Sequence, residues 1–459
     1  MQLPEDFIQQ MRDTLPEGEF EPFMKAMDEP CPVSVRWRNA DVIAAAKRCD
    51  GTPWAEMAAA DEQVVPWCPL GRYLRLRPSF TMDPLLHAGA YYVQEASSMF
   101  IWHLCQWLKA EGEWGGAVRA LDLCAAPGGK STLLQTALPA GSRLIANEIM
   151  PKRAQVLREN VSKWTRRPVD ADVDASAVSV LVTNNSPADV SRMGSGVFDF
   201  ILCDVPCSGE GMFRKDEKAV EDWSLANVTM CQERQRDIVS TIWKTLREGG
   251  YMIYSTCTYN RREDEDNVRW IADELGADIV SVPVPAEWNV TNAPFYHFYP
   301  HRVSGEGFFC ALLKKHGATA DDVEPVCAAD DSEQDCAVDE WRQNGKSNGK
   351  EMVSANDKKL RKGHKVKNKK GGAAPDSADA MPGGLKVLPL ENKYEPPFVD
   401  VGSHIALKYL HGEAIQLPAD APRGLVTVTF CGMPLGLAKN IGARANNLYL
   451  KEWRIRKQV

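Results

Sequence analysis

Short apolar runs alternate with stretches of helical spacing through the middle of the chain, which is the pattern of a parallel sheet flanked by helices. Seven of the runs predict strands, at residues 118–124, 143–148, 178–184, 198–204, 250–256, 277–282 and 307–314. The last run has no long helical stretch before it, which predicts that its strand runs antiparallel. The pattern therefore predicts an α/β domain, built on a doubly wound seven-stranded sheet, over residues 109–316.

The regions on either side of this domain have different patterns. Residues 1–108 mix helical spacing with strand-like segments such as 73–76, which predicts a separate α+β accessory region. Periodicity stops after Lys315 and returns near Leu385, so residues 317–384 are predicted to be a flexible linker, acidic and then basic. In residues 385–459, the alternation over 425–430 before a turn at 432–436 predicts a β-hairpin in a β-rich C-terminal domain.

Charge is distributed unevenly along the chain. The formal net charge of −8 argues against a uniformly basic nucleic-acid binder. The linker nevertheless contains a basic tract at residues 358–370, which could neutralise several phosphates of a nucleic acid. A solvated tether explains the same tract equally well.

Composition narrows the class of protein. With 459 residues, 44% of them hydrophobic, the chain is long enough for two or three domains and at least one large core. It has neither a signal-peptide pattern at its start nor an apolar run of about 18 residues, so a cytoplasmic location without membrane association is expected. The irregular spacing of its 13 cysteines fits neither a secreted disulfide framework nor paired zinc ligands, and no metal is expected.

The first predicted strand runs into a turn of small residues and then a helix. The turn reads Cys124-Ala125-Ala126-Pro127-Gly128-Gly129-Lys130. Small residues let the backbone approach a ligand closely, and a helix N-terminus offers unpaired N–H groups to a carboxylate or a phosphate. A tight strand-to-helix connection is the structural alternative. A phosphate-binding loop of the ATPase kind is disfavoured because Cys124 occupies its first glycine position. Glu148, at the end of the second strand, could accept hydrogen bonds from both hydroxyls of a ribose, which suits S-adenosylmethionine.

Two cysteines follow the fourth and fifth predicted strands. They lie in the segments Asp204-Val205-Pro206-Cys207-Ser208-Gly209 and Tyr254-Ser255-Thr256-Cys257-Thr258. Either cysteine alone would more often be inert packing, but adjacent strands would bring the two thiols together. A thiolate that adds to carbon 6 of a pyrimidine converts carbon 5 into a nucleophile that can attack a methyl sulfonium. This chemistry needs an acid near ring nitrogen 3, a role that Asp204 could fill, and a base for the proton on carbon 5.

Four segments together resemble the Nop/Sun (Fmu-like) RNA 5-methylcytosine methyltransferases. They are the turn at 124–130, the cysteine segments at 204–211 and 255–258, and, upstream, Tyr92-Val93-Gln94-Glu95-Ala96-Ser97-Ser98-Met99. The resemblance covers roughly residues 36–315, with the motifs in the family's order. It implies a Rossmann-like seven-stranded methyltransferase sheet, S-adenosylmethionine as the cofactor and RNA as the substrate.

The resemblance also implies a role for each site residue. Cys257 would be the nucleophile that attacks carbon 6, and Cys207 would promote release of the methylated RNA. DNA cytosine-5 methyltransferases differ, because their Pro-Cys motif supplies the nucleophile, and on that basis Cys207 would have been favoured. The cofactor would lie on the turn at 124–130 with Glu148 at its ribose, and Arg153 and Asp204 would be further contacts. An exposed helix arginine and a strand-end cap are the structural alternatives for these last two residues.

One position departs from the family's pattern. The family usually has an aspartate near the adenine, just after the third strand, and Ser186 aligns best there. Asp189 could replace the contact after a small shift, or the backbone and Ser186 could meet the adenine amino group instead.

The end of the chain resembles the PUA-like RNA-binding domain of RsmF-type bacterial ribosomal RNA methyltransferases. The segments that carry this resemblance are Gly432-Met433-Pro434-Leu435-Gly436-Leu437-Ala438-Lys439, Asn446-Asn447-Leu448-Tyr449 and Trp453-Arg454. Five cationic side chains in this region could contact phosphates: Lys439, Arg444, Lys451, Arg454 and Arg456. Ordinary solvent-exposed surface positions are an equally good explanation for their presence. The N-terminal region is expected to bind RNA as well.

Together these observations predict an S-adenosylmethionine-dependent RNA cytosine-5 methyltransferase that acts on small-subunit (16S) ribosomal RNA, with transfer RNA as the nearest alternative substrate. The thiol must add above the ring plane, so the target cytosine must be unpaired or flipped out of its stack. The leading alternative from another class is a ribosome-assembly factor with vestigial chemistry. The presence of both cysteines, Asp204 and the cofactor turn argues against it. A monomer is expected.

Overall fold

The structure is a computed structural model that describes residues 2–47, 64–166, 177–291, 293–317, 384–392 and 394–456. Nearly all of the predicted linker, including the basic tract at 358–370, lies outside these residues. None of the described helices is long and apolar enough to cross a bilayer.

A large mixed sheet occupies the middle of the chain and contains all seven predicted strands. Its strands are β5 (Arg119–Asp122), β6 (Arg143–Asn147), β7 (Ser179–Thr183), β8 (Phe198–Asp204), β9 (Leu246–Thr256), β10 (Ala277–Val280), β11 (Tyr296–Phe298), β12 (Phe308–Lys315) and β13 (Val387–Leu388). Its helices are α6 (Gly129–Ala137), α7 (Pro151–Trp164), α8 (Pro187–Ser191), α9 (Glu217–Glu221), α10 (Leu225–Trp243) and α11 (Glu265–Leu275). The strands are apolar almost throughout because helices cover both faces of the sheet.

The strand order is β10-β12-β9-β8-β5-β6-β7-β13, with β11 paired to β12. β12 is antiparallel to all three strands with which it pairs, β9, β10 and β11, which confirms the direction predicted for the seventh strand. The order reverses at β5, where β6 and β7 extend to one side and β8 and β9 to the other. Loops that leave the carboxyl ends of strands at such a point diverge and open a crevice for a ligand.

The N-terminal region is an α+β unit, as predicted. It contains α1 (Glu5–Thr14), α2 (Phe20–Met27), β1 (Val33–Trp37), α3 (Ala40–Lys47), β2 (Val64–Val65), β3 (Cys68–Leu74), α4 (Pro84–His87), β4 (Tyr91–Val93) and α5 (Ile101–Ala110). Its strands form a separate sheet in the order β2-β3-β1-β4. The strand expected at 73–76 ends at Leu74, and Leu76 is exposed. Helix α5 buries Leu104 and Leu108 in one cluster with Leu133 of α6, so this part of the N-terminal region packs on the central sheet.

The C-terminal region forms a third sheet. Its elements are β14 (Phe398–Asp400), α12 (Ser403–Leu410), β15 (Gly424–Phe430), β16 (Met433–Asn440) and β17 (Ala445–Asn447), and the strands pair in that order. β15 and β16 form the predicted hairpin, which turns at Cys431 and Gly432. Cys431 is disulfide-bonded.

The chain returns to the central sheet before it enters this third sheet. Residues from Leu385 onward were expected to belong to the C-terminal domain, yet β13 pairs antiparallel with β7 of the central sheet. The physical reason is that β7 is otherwise an edge strand whose backbone N–H and C=O groups need partners. The pattern of the short segment 385–392 alone could not indicate which edge it would join.

Candidate active site

The turn after β5 leads directly into α6. Gly128 is the residue before the helix and has φ of +115°, a conformation that residues with a Cβ rarely adopt. The turn approaches α7, because Asn160 donates to the carbonyl of Pro127 at 2.8 Å. Beside the turn lies a cavity of about 160 Å³, lined mainly by Cys124–Pro127, Gly129, Lys130, Asp122, Asp204 and residues of the segment 92–98.

Asp122, the last residue of β5, contributes a buried carboxyl group to this cavity. Its Oδ2 accepts a hydrogen bond from the Ser131 hydroxyl at 2.6 Å, whereas its Oδ1 is buried without a hydrogen-bond partner in the structure. Burial raises the pKa of Asp122 to about 7, and the Asp204 carboxylate adds to the shift. An unpaired carboxylate oxygen beside a cavity can receive a donor from a ligand. Sequence reasoning did not select Asp122, although a buried acid ahead of a small-residue turn was a usable signal.

Glu148 follows β6 and is 2% exposed. One of its oxygens accepts from the Met150 N–H at 2.8 Å, and the other lies 3.4 Å from an Arg153 nitrogen. Arg153 also donates to the carbonyl of Ala126 at 2.7 Å, so it joins the turn after β5 to the loop after β6. Glu148 and Arg153 therefore adjoin the turn, but neither lines the 160 Å³ cavity.

The two cysteine loops meet because their strands are neighbours. β8 and β9 pair in parallel with Asp204 opposite Ser255. Beyond the strand ends, the Cys207 and Cys257 sulfurs lie 3.2 Å apart, and the backbone N–H of Cys257 points at the Cys207 sulfur at 3.4 Å. Hydrogen bonding to the Cys257 thiol and burial raise the pKa of Cys207 well above its ordinary value, although the Cys257 N–H acts in the opposite direction.

An ion pair links the cofactor turn to the loop that carries Cys207. Lys130 donates to Asp204 Oδ2 at 2.9 Å, and the Ser255 hydroxyl donates to Asp204 Oδ1 at 2.8 Å. Burial would lower the pKa of Lys130, but the adjacent Asp204 carboxylate outweighs burial, and the pKa is raised. Lys130 also interacts electrostatically with Cys257. The ammonium of Lys130 therefore pairs with a carboxylate at the end of another strand, outside the turn in which Lys130 lies.

The buried carboxylate of Glu210 is hydrogen-bonded to the loop that carries Cys257. Glu210 accepts hydrogen bonds at Oε1 from the side chains of Gln10, Trp223 and Asn260, at 2.8, 3.1 and 3.1 Å. Its Oε2 accepts the backbone N–H of Tyr259 at 2.8 Å. Because Gln10 belongs to α1, this carboxylate ties the N-terminal region to the residues next to Cys257.

A second buried carboxylate joins the two cysteine loops. Glu263 accepts the backbone N–H of Ser208 at 3.0 Å and the side-chain amides of Gln235 and Asn260 at 2.7 and 2.8 Å. Burial raises the pKa of Glu263. The residues after Cys207 and after Cys257 are thus held by the same acceptor network.

The N-terminal region completes the cavity. Tyr92, Gln94, Glu95 and Ser98, all from the segment that carried part of the resemblance, line it. Glu95 accepts the N–H groups of Ser98 and Ser97 at 2.7 and 2.8 Å. Its carboxylate is therefore held at the start of the short 3-10 helix Ser97–Phe100, which precedes α5.

Arg36 of β1 connects this wall to the cofactor turn, and sequence reasoning missed it. The guanidinium is fully buried and donates to Gln94 at 2.8 Å, to the Gly129 carbonyl at 3.1 Å and to Thr132 at 2.6 Å. It also lies 4.4 Å from the ring centroid of Trp164. Burial lowers the pKa of Arg36 to about 10, so the side chain stays cationic at neutral pH. No pattern in β1 alone distinguishes it from a surface cation.

Ser186 and Asp189, the two candidates for the position near the adenine, bind each other. Ser186 precedes α8, and its N–H and hydroxyl both donate to Asp189 Oδ2, at 2.9 and 2.7 Å. The Asp189 N–H donates back to the Ser186 oxygen at 3.2 Å, which completes a capping box. Arg192 pairs with the remaining oxygen of Asp189.

The C-terminal cations are placed on the surface of the third sheet and its end. Four of them are exposed: Lys439, Arg444, Lys451 and Arg456. Arg454 is half-buried and donates to the Tyr449 carbonyl at 3.3 Å. Arg454 is therefore partly structural, whereas the other four are free to face a ligand.

Three family models match this chain. Residues 109–314 match the model described as 16S rRNA methyltransferase RsmB/F, residues 3–96 the N-terminal domain of 16S rRNA methyltransferase RsmF, and residues 397–455 the methyltransferase RsmF PUA domain.

Curated relatives and a solved structure agree with these matches. Ribosomal RNA small subunit methyltransferase F of Aliivibrio salmonicida is 31% identical over 329 residues, which are 69% of this chain and 65% of that protein. The protein of the same name from Citrobacter koseri is 28% identical over 487 aligned positions, covering 98% of this chain and 96% of that protein. A methyltransferase homologue protein from Pyrococcus horikoshii shares the fold, with a TM-score of 0.50 at 20% identity over 68% of this chain and all of that one.

Proposed function

The chain belongs to the RsmB/F family of 16S rRNA methyltransferases, and from this premise we propose that it transfers a methyl group from S-adenosylmethionine to carbon 5 of a cytosine in small-subunit ribosomal RNA. Membership of the family makes the chain an S-adenosylmethionine-dependent RNA methyltransferase. The covalent mechanism, the site residues and the target base are proposals. The observation that supports these proposals is that the Cys207 and Cys257 sulfurs lie 3.2 Å apart, next to the Lys130–Asp204 ion pair.

The residues beside the cavity fit the cofactor. The N-terminus of α6 has no side-chain cap and can receive a carboxylate. Asp122 has a buried, unpaired carboxylate oxygen for a cationic or N–H donor. Glu148, with Arg153 beside it, can accept from ribose hydroxyls. When bound, S-adenosylmethionine supplies an electrophilic methyl group on a positively charged sulfur.

The protein's own residues would then perform the covalent steps. The Cys257 thiolate adds to carbon 6 of the cytosine while ring nitrogen 3 takes a proton through Asp204, which makes carbon 5 nucleophilic. After carbon 5 has gained the methyl group, it loses its proton and the bond between Cys257 and carbon 6 breaks. Cys207 assists this elimination, because its thiol proton can pass to the departing Cys257 sulfur 3.2 Å away, and the Cys207 thiolate so formed takes the proton from carbon 5. Ring nitrogen 3 returns its proton to Asp204.

The electrostatics of the pair support this division of roles. A thiol with a raised pKa keeps its proton, so Cys207 can donate a hydrogen bond to a negatively charged Cys257. The Lys130 ammonium holds Asp204 in place.

RNA binding is the proposed role of the two outer regions. The N-terminal region shares a cavity wall with the cofactor turn, so RNA held there could present a flipped base to the thiols. Exposed cations of the C-terminal region, among them Lys439 and Arg444, would contact phosphates. Bacterial ribosomal RNA as the substrate implies a cytoplasmic location. We further propose that the protein is a monomer.

The direct test is methyl transfer by the purified full-length protein. It would be incubated with methyl-labelled S-adenosylmethionine and, separately, small-subunit ribosomal RNA, assembled small subunits or transfer RNA, followed by bisulfite mapping. We expect label in carbon 5 of a ribosomal cytosine. Label only in transfer RNA would assign the alternative substrate, and cofactor and RNA binding without transfer to any of the three would favour an assembly factor with vestigial chemistry.

A further inference from the structure

Residues 385–388, here called the strap, run along the edge of the central sheet beside the cofactor site. The strap contains β13, which pairs with β7 in the register Val387 to Thr183 and Leu388 to Val182. Leu385 is buried against one face of the sheet and Leu388 against the other. Side chains that are anchored in both layers hold this short strand firmly to the edge.

The strap is hydrogen-bonded to the two residues that follow β7. The Asn184 N–H donates to the Lys386 carbonyl at 3.0 Å, and the Lys386 N–H donates to Asn185 Oδ1 at 2.9 Å. The Asn185 side chain returns a bond to the Lys386 carbonyl at 3.2 Å, and the Lys386 ammonium reaches Asn184 Oδ1 at 3.1 Å. Both asparagines are thus held by backbone or side-chain groups of a single strap residue.

Asn184 connects the strap by hydrogen bonds to the backbone at Glu148, the proposed ribose-binding residue. Its side-chain amide donates to the backbone carbonyls of Glu148 and Ile149, at 2.8 and 3.0 Å. These two bonds set the backbone from which the Glu148 carboxylate projects.

Asn185 connects the strap by hydrogen bonds to the turn after β5. Its N–H donates to Asn147 Oδ1 at 3.1 Å, and Asn147 Nδ2 donates to the carbonyls of Asn185 and Leu123, at 3.0 and 3.2 Å. The Asn147 carbonyl accepts the Ala125 N–H at 2.8 Å. An unbroken series of hydrogen bonds therefore joins the strap to the turn on which the cofactor is proposed to lie.

We propose that the strap is a positioning element of the cofactor site, through which the C-terminal part of the chain sets the geometry of Glu148 and of the turn at 124–130. The proposal rests on the function proposed above. It means that the catalytic domain does not end at the last long strand of the sheet, and that cofactor affinity depends on a segment far along the chain. Asn184, Asn185 and Lys386 are positioning residues, because they act on the cofactor through Glu148 and the turn.

The test compares two proline substitutions in the full-length protein. Lys386→Pro removes both the N–H that binds Asn185 and the ammonium that reaches Asn184, and should weaken S-adenosylmethionine binding, measured by calorimetry, by about tenfold or more, the effect of one or two such hydrogen bonds. Glu391→Pro is the matched control, since its N–H binds Ser162 of α7 at 3.0 Å, away from the turn. It should change cofactor affinity by less than about twofold. RNA affinity should be unchanged in both variants.

Asn184→Ala keeps the strap and removes the donor to the Glu148 carbonyl, so it tests the same path if the proline variant does not fold. Amide exchange provides a readout that does not need a variant. Because coupling between two sites is reciprocal, S-adenosylmethionine should slow exchange at residues 385–388 but not in α12.

The possible outcomes separate the two proposals. If the unmodified protein does not bind S-adenosylmethionine, the proposed function fails. If it binds, and Lys386→Pro and Asn184→Ala bind equally well, the strap has no positioning role. A loss of RNA affinity in parallel with cofactor affinity would indicate general destabilisation and would overturn the inference as well.

Discussion

The sulfur atom of Cys207 lies 3.2 Å from that of Cys257, within the reach of a thiol–thiol hydrogen bond. The two residues are fifty positions apart in the sequence and meet only because β8 and β9 are parallel neighbours. The arrangement therefore places a thiol whose pKa is raised, Cys207, directly beside a second thiol. Such a pair can serve an addition and the elimination that reverses it.

Substitution of each thiol should arrest a different step. Cys257→Ala should abolish methyl transfer and leave no covalent complex with RNA, because nothing adds to carbon 6. Cys207→Ala should form the complex but resolve it slowly, because elimination lacks its assistant. Denaturing gel electrophoresis with labelled RNA distinguishes the two variants, and a covalent band in Cys257→Ala but not in Cys207→Ala would reverse the roles.

Lys130→Met should show whether Lys130 serves the chemistry or only the cofactor. The change removes the ammonium that pairs with Asp204, so kcat should fall by about 100-fold or more, in the range for a lost acid–base group. Steady-state kinetics with both substrates provides the measurement. If instead the KM for S-adenosylmethionine rises while kcat is preserved, Lys130 contacts only the cofactor.

Glu210→Gln should loosen the loop that carries Cys257. The carboxylate receives four N–H donors, and the amide would present an NH₂ group to some of them, at a cost of about 2 kcal/mol in the free energy of unfolding. Denaturant-induced unfolding measures the change. Glu217→Gln, at an exposed position of α9, is the control and should be neutral. Equal stability of the two variants would contradict the role given to the buried carboxylate.

Two buried groups of the N-terminal region should make stability depend on pH in opposite directions. Asp83 accepts the Leu85 N–H at 2.9 Å and the Tyr91 hydroxyl, and burial raises its pKa to about 7. Between about pH 4 and pH 7 the Asp83 carboxyl keeps its proton in the folded state but releases it in the unfolded chain, where its pKa is about 4. The contribution of Asp83 to the free energy of unfolding is therefore lost as pH rises from about 4 to 7. Burial lowers the pKa of His87 to about 3, so its contribution is lost as pH falls from about 6.5 towards 3.

Asp83→Asn should therefore remove the Asp83 contribution to the pH dependence and leave the His87 contribution in place. The difference in unfolding free energy between the unmodified protein and the variant should decline by at most roughly 4 kcal/mol from pH 4 to pH 7. Denaturant unfolding at several pH values checks this. A difference that stays constant, or grows with pH, would show that Asp83 is ionised in the folded protein.

The local pattern of the chain was sufficient for most of the architecture. Near-continuous apolar runs predicted the seven central strands, and the missing helix before residues 307–314 predicted the antiparallel direction of β12. The turn at 124–130 and the segments around Cys207 and Cys257 also follow from local sequence, because their small residues and strand-end positions are visible in a single stretch of chain.

Other features arise between segments that no local pattern connects. Lys130 lies in the cofactor turn, yet its ammonium binds Asp204 of another strand. Arg36 is separated from Gly129 by most of the N-terminal region, and the strap joins β7 after the long stretch that follows β12.

The sequence by itself determined the elements, the candidate chemistry and the resemblance, because strand periodicity, turn residues and short motifs are encoded over a few neighbouring positions. Only the tertiary structure decided which charge pairs with which, which carboxyl groups become buried and so have raised pKa values, and which edge the strap covers. Those properties depend on distance and burial in three dimensions, to which residues far apart in the chain contribute together.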